Sequence, residues 1–260
     1  GASRAQHLAR IAAQGFYSPP SSSSLLSAVR SGNARWRGRG TERDLLLESL
    51  AALRTTGNPA TVLLGGELGI GKGALVRWIV EEAVATLGAA GGVAALIDGP
   101  HWARQVLSLV TLGQPGAPVR ELVAAVNAAC GKLRSDETQT VLAAAGYLMG
   151  LDPDPLLVAH IVARSVTSPT VLAFRDIGAR PGVAAFVEAL ARCVARAPAP
   201  ILCVGTVDRA HVVTRKGVRK FLGRVGRLPY VQIRQVEPLG ADEIIELARE
   251  ALTGLGHIAD

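Results

Sequence analysis

An apolar run, Thr61-Val62-Leu63-Leu64, leads into Gly66-Glu67-Leu68-Gly69-Ile70-Gly71-Lys72-Gly73. Ala74, Leu75, Val76, Trp78 and Ile79 then follow at helical spacing. A buried strand, a glycine-rich turn and a helix start in that order are the context that the G-x-x-x-x-G-K-[ST] pattern requires. Glycines at Gly66, Gly69 and Gly71 let backbone N–H groups close around an anion, and a helix beginning near Lys72 adds its positive dipole end. Lys72 is in register to reach the outer phosphates of a nucleotide. The next position calls for a hydroxyl to ligate magnesium and carries Gly73. Ile70 and Ala74 complete the loop's expected contacts, so the segment reads as a nucleotide-binding loop short of one metal ligand.

The rest of the chain supplies the scaffold that such a loop needs. Leu45, Leu46, Leu50 and Leu53 predict a helix that stops before Gly57-Asn58-Pro59. Further apolar strands are expected at 93–98, 170–174, 201–206 and 230–233, with the fourth ending on Thr206. Helices are expected over 73–87, 119–133, 136–148, 155–166, 181–196 and 241–252. Strands that are apolar rather than alternating, separated by helices, predict an α/β fold with a parallel sheet covered on both faces. At 260 residues and 49% hydrophobic the chain can bury a large core. No apolar stretch reaches the ~18–20 residues needed to span a bilayer.

A second acidic segment should follow another buried strand, and Val171-Leu172-Ala173-Phe174-Arg175-Asp176 is the candidate. Arg175 falls where a metal-binding aspartate belongs, and Asp176 falls where a water-polarising acid belongs. Shifting the register by one leaves Ile177 in the catalytic place, so one acid is missing either way. Loss of an oxygen at Gly73 and of an acid at Arg175 both strike the same ion. Phosphoryl transfer relies on Mg²⁺ to neutralise developing charge. Binding of ATP or ADP with little or no hydrolysis is therefore expected, and a well-held Mg²⁺ is not. Two readings stay open for Arg175. Its guanidinium either lies against Asp176 or a phosphate in place of the cation, or simply reaches solvent. Thr206, at the expected strand end, is placed to sense a terminal phosphate or else is an ordinary strand residue. His101 and Trp102 read as packing residues.

Charge sorts the chain into regions. Residues 1–41 carry six arginines and no acid, leaving 22 Lys+Arg against 21 Asp+Glu from Glu42 onward. The net charge of +7 thus belongs mostly to the N-terminal arm. That arm, with Ser21 to Ser24 and Pro19-Pro20, fits an organellar transit segment. A docking arm fits equally, as does the codon bias suggested by 24 Arg to four Lys. Between 209 and 227 lie seven Lys/Arg and no acid, but only Phe221 could stack a base, so a protein-docking or solvated face is favoured over a nucleic-acid surface. Cys130, Cys193 and Cys203 are too scattered for a disulfide framework or zinc site and read as buried thiols in a reducing compartment, mitochondrial matrix or cytoplasm.

The order of segments resembles the AAA+-like ATPase domain of the STAND class, found in large bacterial transcription regulators and related archaeal ATPases. Gly38-Arg39-Gly40-Thr41-Glu42 looks like that family's Gly-Arg-x-x-Glu entry, which implies an adenine contact for Arg39. Gly66 to Leu75 resembles its phosphate loop apart from Gly73. Pro169 to Arg192 is similar to its second acidic segment apart from Arg175. Val236-Glu237-Pro238-Leu239-Gly240 looks like the start of its lid. The resemblance implies a P-loop NTPase three-layer sandwich with five parallel strands ordered 5-1-4-3-2. Charge sets off a basic arm over 1–41, and the resemblance implies a core over 42–235 and the beginning of a helical lid over 236–260. Three functions follow: a catalytically impaired nucleotide-binding module acting through protein partners, a structural pseudo-ATPase subunit of a larger (mitochondrial or ribosomal) complex, or an AAA+-like DNA-binding initiator. The first is the expected one.

Overall fold

Five apolar segments find each other as a single parallel sheet. In the computed structural model, which describes residues 39–114 and 154–245 together with positions 121, 124 and 249, the strands are β1 (Ala60–Gly66), β2 (Val93–Ile97), β3 (Thr170–Phe174), β4 (Ile201–Asp208) and β5 (Val231–Gln235). Their order is β2-β3-β4-β1-β5, which is the expected 5-1-4-3-2 read from the other edge. Every pairing is parallel, with Leu63 opposite Gly205 and Gly66 opposite Asp208. Because β1 lies between β4 and β5, its C-terminal end opens where chain connections leave in both directions. Open α/β sheets bind ligands at such a crevice.

Helices cover the sheet. They are α1 (Gly40–Thr56), α2 (Lys72–Leu87), α3 (Trp102–Leu112), α4 (Pro155–Ser165), α5 (Pro181–Arg196), α6 (Arg209–Thr214) and α7 (Lys216–Val225). Pro155 and Pro181 each occupy a first helical turn, where the missing N–H costs nothing. All of β3 and β4 is buried. Phe174 reaches across to Phe186 at 5.8 Å between ring centroids, and Phe186 meets Trp102 at 5.0 Å. This aromatic chain ties β3, α5 and α3 into one core beneath the crevice. On α2, Trp78 also receives the Arg43 guanidinium at 4.8 Å from its ring centroid.

Several boundaries differ from expectation for physical reasons. Thr206 does not end β4, which continues through Val207 to Asp208 because both residues keep pairing with β1. β5 is not a covered strand. It is the sheet edge, exposed along most of its length, and it begins at Val231 and extends to Gln235. Trp102 packs as expected, whereas His101 is exposed at the head of α3. Cys203 is buried on β4 and Cys193 only half-buried. Apart from positions 121 and 124, the expected helices at 119–133 and 136–148, with Cys130 and the arm over 1–38, lie outside the described residues.

The body over 41–238 is one compact unit. Arg39, Gly40 and the described residues from Leu239 on belong to a second, smaller one. In that smaller unit 241–245 is helical, and Glu243 accepts from the Gly240 N–H at 2.7 Å, a capping contact at the helix start. Among the described residues no helix is long and apolar enough to cross a membrane.

Candidate functional site

The turn between β1 and α2 is built around left-handed glycines. Gly71 caps α2 with φ 97°, and its carbonyl accepts from Ala74 and Leu75, starting the helix directly behind Lys72. Gly66 has φ 148°, and a Cβ placed there would lie 2.4 Å from Ile70 Cδ1 and 2.7 Å from the Val236 carbonyl. No side chain fits. Gly69, Ile70, Gly73 and Ala74 complete the same turn, so all seven expected loop residues sit together at the C-terminal end of β1.

Lys72 is 7% exposed and folds back over the loop. Its Nζ donates to the Gly66 carbonyl at 2.7 Å and to the Glu67 carbonyl. Burial lowers its pKa from the ordinary 10.5, and the nearby Asp208, Asp176 and Glu67 carboxylates push the other way. The ammonium is thus held against its own loop by two backbone carbonyls.

The second half of the site comes from the ends of β2, β3 and β4. Asp176 leaves β3 with φ 44°, an uncommon conformation for a residue other than glycine. Two bonds hold it there: its N–H donates to Thr206 Oγ1 at 2.8 Å, and its Oδ1 meets His211 Nδ1 at 3.0 Å. Thr206 is therefore a buried residue whose hydroxyl accepts from the neighbouring strand end, rather than one standing at the tip of β4. Arg175 does not lie against Asp176. Its Nη1 is 3.7 Å from Asp98 Oδ2 at the end of β2. Its Nε is buried, has no hydrogen-bond partner, and lies 4.0 Å from where a Cβ on Gly73 would be. The two positions that depart from the metal-binding pattern therefore face each other.

Sequence reading missed Arg180, Asp98, Asp208 and His211. Arg180 donates to the Gly99 and Arg175 carbonyls and lies 3.8 Å from Asp98, so it ties the ends of β2 and β3 together. Asp208 accepts from the Ala210 N–H at 2.8 Å and caps α6. Asp98 carried a signal as an acid ending an apolar strand, and Asp208 as the acid that ends β4. Their partners come from distant segments and left no local trace. Arg39 belongs to the smaller unit.

A magnesium ion does not fit this donor set. Gly73 offers no oxygen and Arg175 brings positive charge. Each acid is already engaged: Asp98 with Arg175 and Arg180, Asp176 with His211, Asp208 with α6, and Glu67 3.7 Å from Arg209. Among the described residues no group of three or more His, Cys, Asp or Glu converges as a metal site. Next to the loop, a groove of 480 Å³ opens against Gly66 and Glu67, walled by Leu63, Val207, Ile233 and Val236.

The basic stretch after β4 forms α6 and α7. Val218, Phe221 and Val225 are buried on α7. Arg224 makes a two-pronged contact to Glu188, 2.7 Å at each oxygen, and Arg215 donates to the Gly178 carbonyl. Arg215 and Arg224 thus serve the fold itself.

No protein-family model matches the sequence, and no curated protein matches it. Solved structures do resemble the chain. The Aeropyrum pernix ORC1 protein in complex with DNA is 16% identical over 83% of this chain and 49% of that one, with a TM-score of 0.52. The Aeropyrum pernix ORC2 protein in its ADPNP-ADP complexes is 13% identical over 83% and 51%, with a TM-score of 0.46. A chain of the E. coli MS115-1 HORMA:CdnC:Trip13 complex is 16% identical over 90% and 72%, with a TM-score of 0.45. The chain spans about half the length of the two Aeropyrum proteins. At this identity the likeness to ORC1 is one of fold alone, an α/β P-loop NTPase-like fold with a five-stranded parallel sheet.

Proposed function

We propose that the protein binds ATP or ADP on the 66–74 loop, hydrolyses it poorly or not at all, and acts through protein partners as a switch or assembly module. The observation that carries this reading is Lys72, buried and bonded only to carbonyls of its own loop at the crevice of a P-loop sheet. Its bonds go to backbone carbonyls of the loop rather than to a carboxylate, so an anion can take their place without breaking an ion pair. The 480 Å³ groove supports the reading, being large enough for a nucleoside-sized group beside the loop. Impaired hydrolysis follows from the engaged acids and the absent oxygen at Gly73. Residues 236–260 are assigned as the start of a lid.

Calorimetry with ATP and ADP on the purified chain, alongside mass spectrometry of retained nucleotide, tests the proposal. Retention without turnover supports it. No binding of either nucleotide sinks it in favour of a structural pseudo-ATPase. A DNA-binding role through 209–227 is disfavoured because Arg215 and Arg224 are spent on intramolecular contacts.

A further inference from the structure

The buried Nε of Arg175 is a donor with no acceptor, and buried N–H groups are rarely left so. It faces Gly73, where a Cβ would lie 4.0 Å away, in ordinary contact with it. Asp98 and the Arg180 bonds hold the Arg175 backbone and outer guanidinium from behind, leaving Nε as the edge turned toward the loop helix. A guanidinium is always charged and presents several donors in a fixed plane that matches phosphate oxygens. Positive charge is thus supplied by the protein in the corner that otherwise calls for a divalent ion.

Resting on the nucleotide-binding reading above, we infer that phosphate binding here is independent of divalent metal. Arg175 takes the place of the ion, and a nucleotide phosphate is the absent partner of its Nε. Gly73 is then a matched change rather than a lesion. The two positions lie side by side, a Cβ on Gly73 being 4.0 Å from the Arg175 Nε, so glycine and arginine act on one corner of the site.

The whole chain is titrated with ADP and with ATP in excess Mg²⁺ and again in excess EDTA. The expected dissociation constants agree within about two-fold in the two media, whereas a metal-dependent site loses tenfold or more, about 1.4 kcal/mol. Binding that collapses in EDTA overturns the inference and leaves the proposed function standing. Absence of binding in both media overturns the proposed function, and the inference with it. Arg175→Gln, checked for folding by circular dichroism, is expected to weaken binding about tenfold in both media. A folded variant that binds as the parent does removes Arg175 from the site. Should the variant not fold, the comparison of Mg²⁺ with EDTA on the unaltered chain still decides.

Discussion

The two halves of the crevice offer a ligand opposite things. On the β1 side, every element that grips an anion is present: left-handed glycines, a helix start and a buried lysine bonded to nothing but carbonyls. On the β3 side, every acid is committed to a cation, a histidine or a helix cap, and an arginine faces the loop. The difference separates two tasks that a P-loop site usually performs together. Holding phosphate needs donors and positive charge. Splitting it needs an ion, an activated water and free carboxylates. On the proposed reading, this site offers only the first set.

The largest test of this contrast is Lys72→Ala, expected to weaken ATP and ADP binding about a hundredfold, roughly 2.7 kcal/mol, by calorimetry. A smaller loss would mean that the β1 half does not dominate affinity. Next is Gly66→Ala. The added Cβ meets Ile70 and the Val236 carbonyl, so both melting temperature and nucleotide affinity should fall, the latter by about tenfold. Equal affinity with a lowered melting point would show the loop to be only scaffold. Thr206→Val strips the acceptor from the Asp176 N–H and should destabilise the fold by about 1–3 kcal/mol in denaturant unfolding. Nucleotide affinity should change much less, because Thr206 serves the β3 half.

A pH series sharpens the same comparison. The Lys72 ammonium, its pKa lowered by burial, is charged below that value and neutral above it. Affinity should therefore fall as pH rises through a point below 10.5, while a Lys72→Arg variant stays flat. Loss only above 10.5 would contradict the burial effect. The smallest expected signal is a gain: Gly73→Thr with Arg175→Asp should convert metal-independent binding into Mg²⁺-dependent binding with slow turnover, read by phosphate release. No turnover and no Mg²⁺ effect would show that the β3 half has drifted beyond two residues.

What could be read in the chain beforehand follows from how local each interaction is. The loop was legible because its glycines, Lys72 and the flanking apolar runs lie within about twenty consecutive residues. β3 and β4 were legible because fully buried strands must be apolar on both faces. Their ends were not. Val207 is apolar enough to continue β4, but only its pairing with Gly65 shows that it does. The Arg175–Asp98 and Asp176–His211 pairs join residues 77 and 35 positions apart, which sheet order brings together and no spacing announces. β5 escaped a burial reading because Val231 and Ile233 look like core residues, while its place at the sheet edge leaves the strand exposed.

The bonds from Lys72 to its own loop also bear on speed. A ligand cannot simply dock, because the ammonium must first leave the Gly66 and Glu67 carbonyls. Association therefore contains an internal exchange step, and its rate should level off at high nucleotide concentration in stopped-flow traces instead of rising linearly. Departure runs through the same gate in reverse, with the loop carbonyls recapturing the lysine as phosphate leaves. If the protein holds its nucleotide without consuming it, as proposed, that exchange sets how long each bound state lasts.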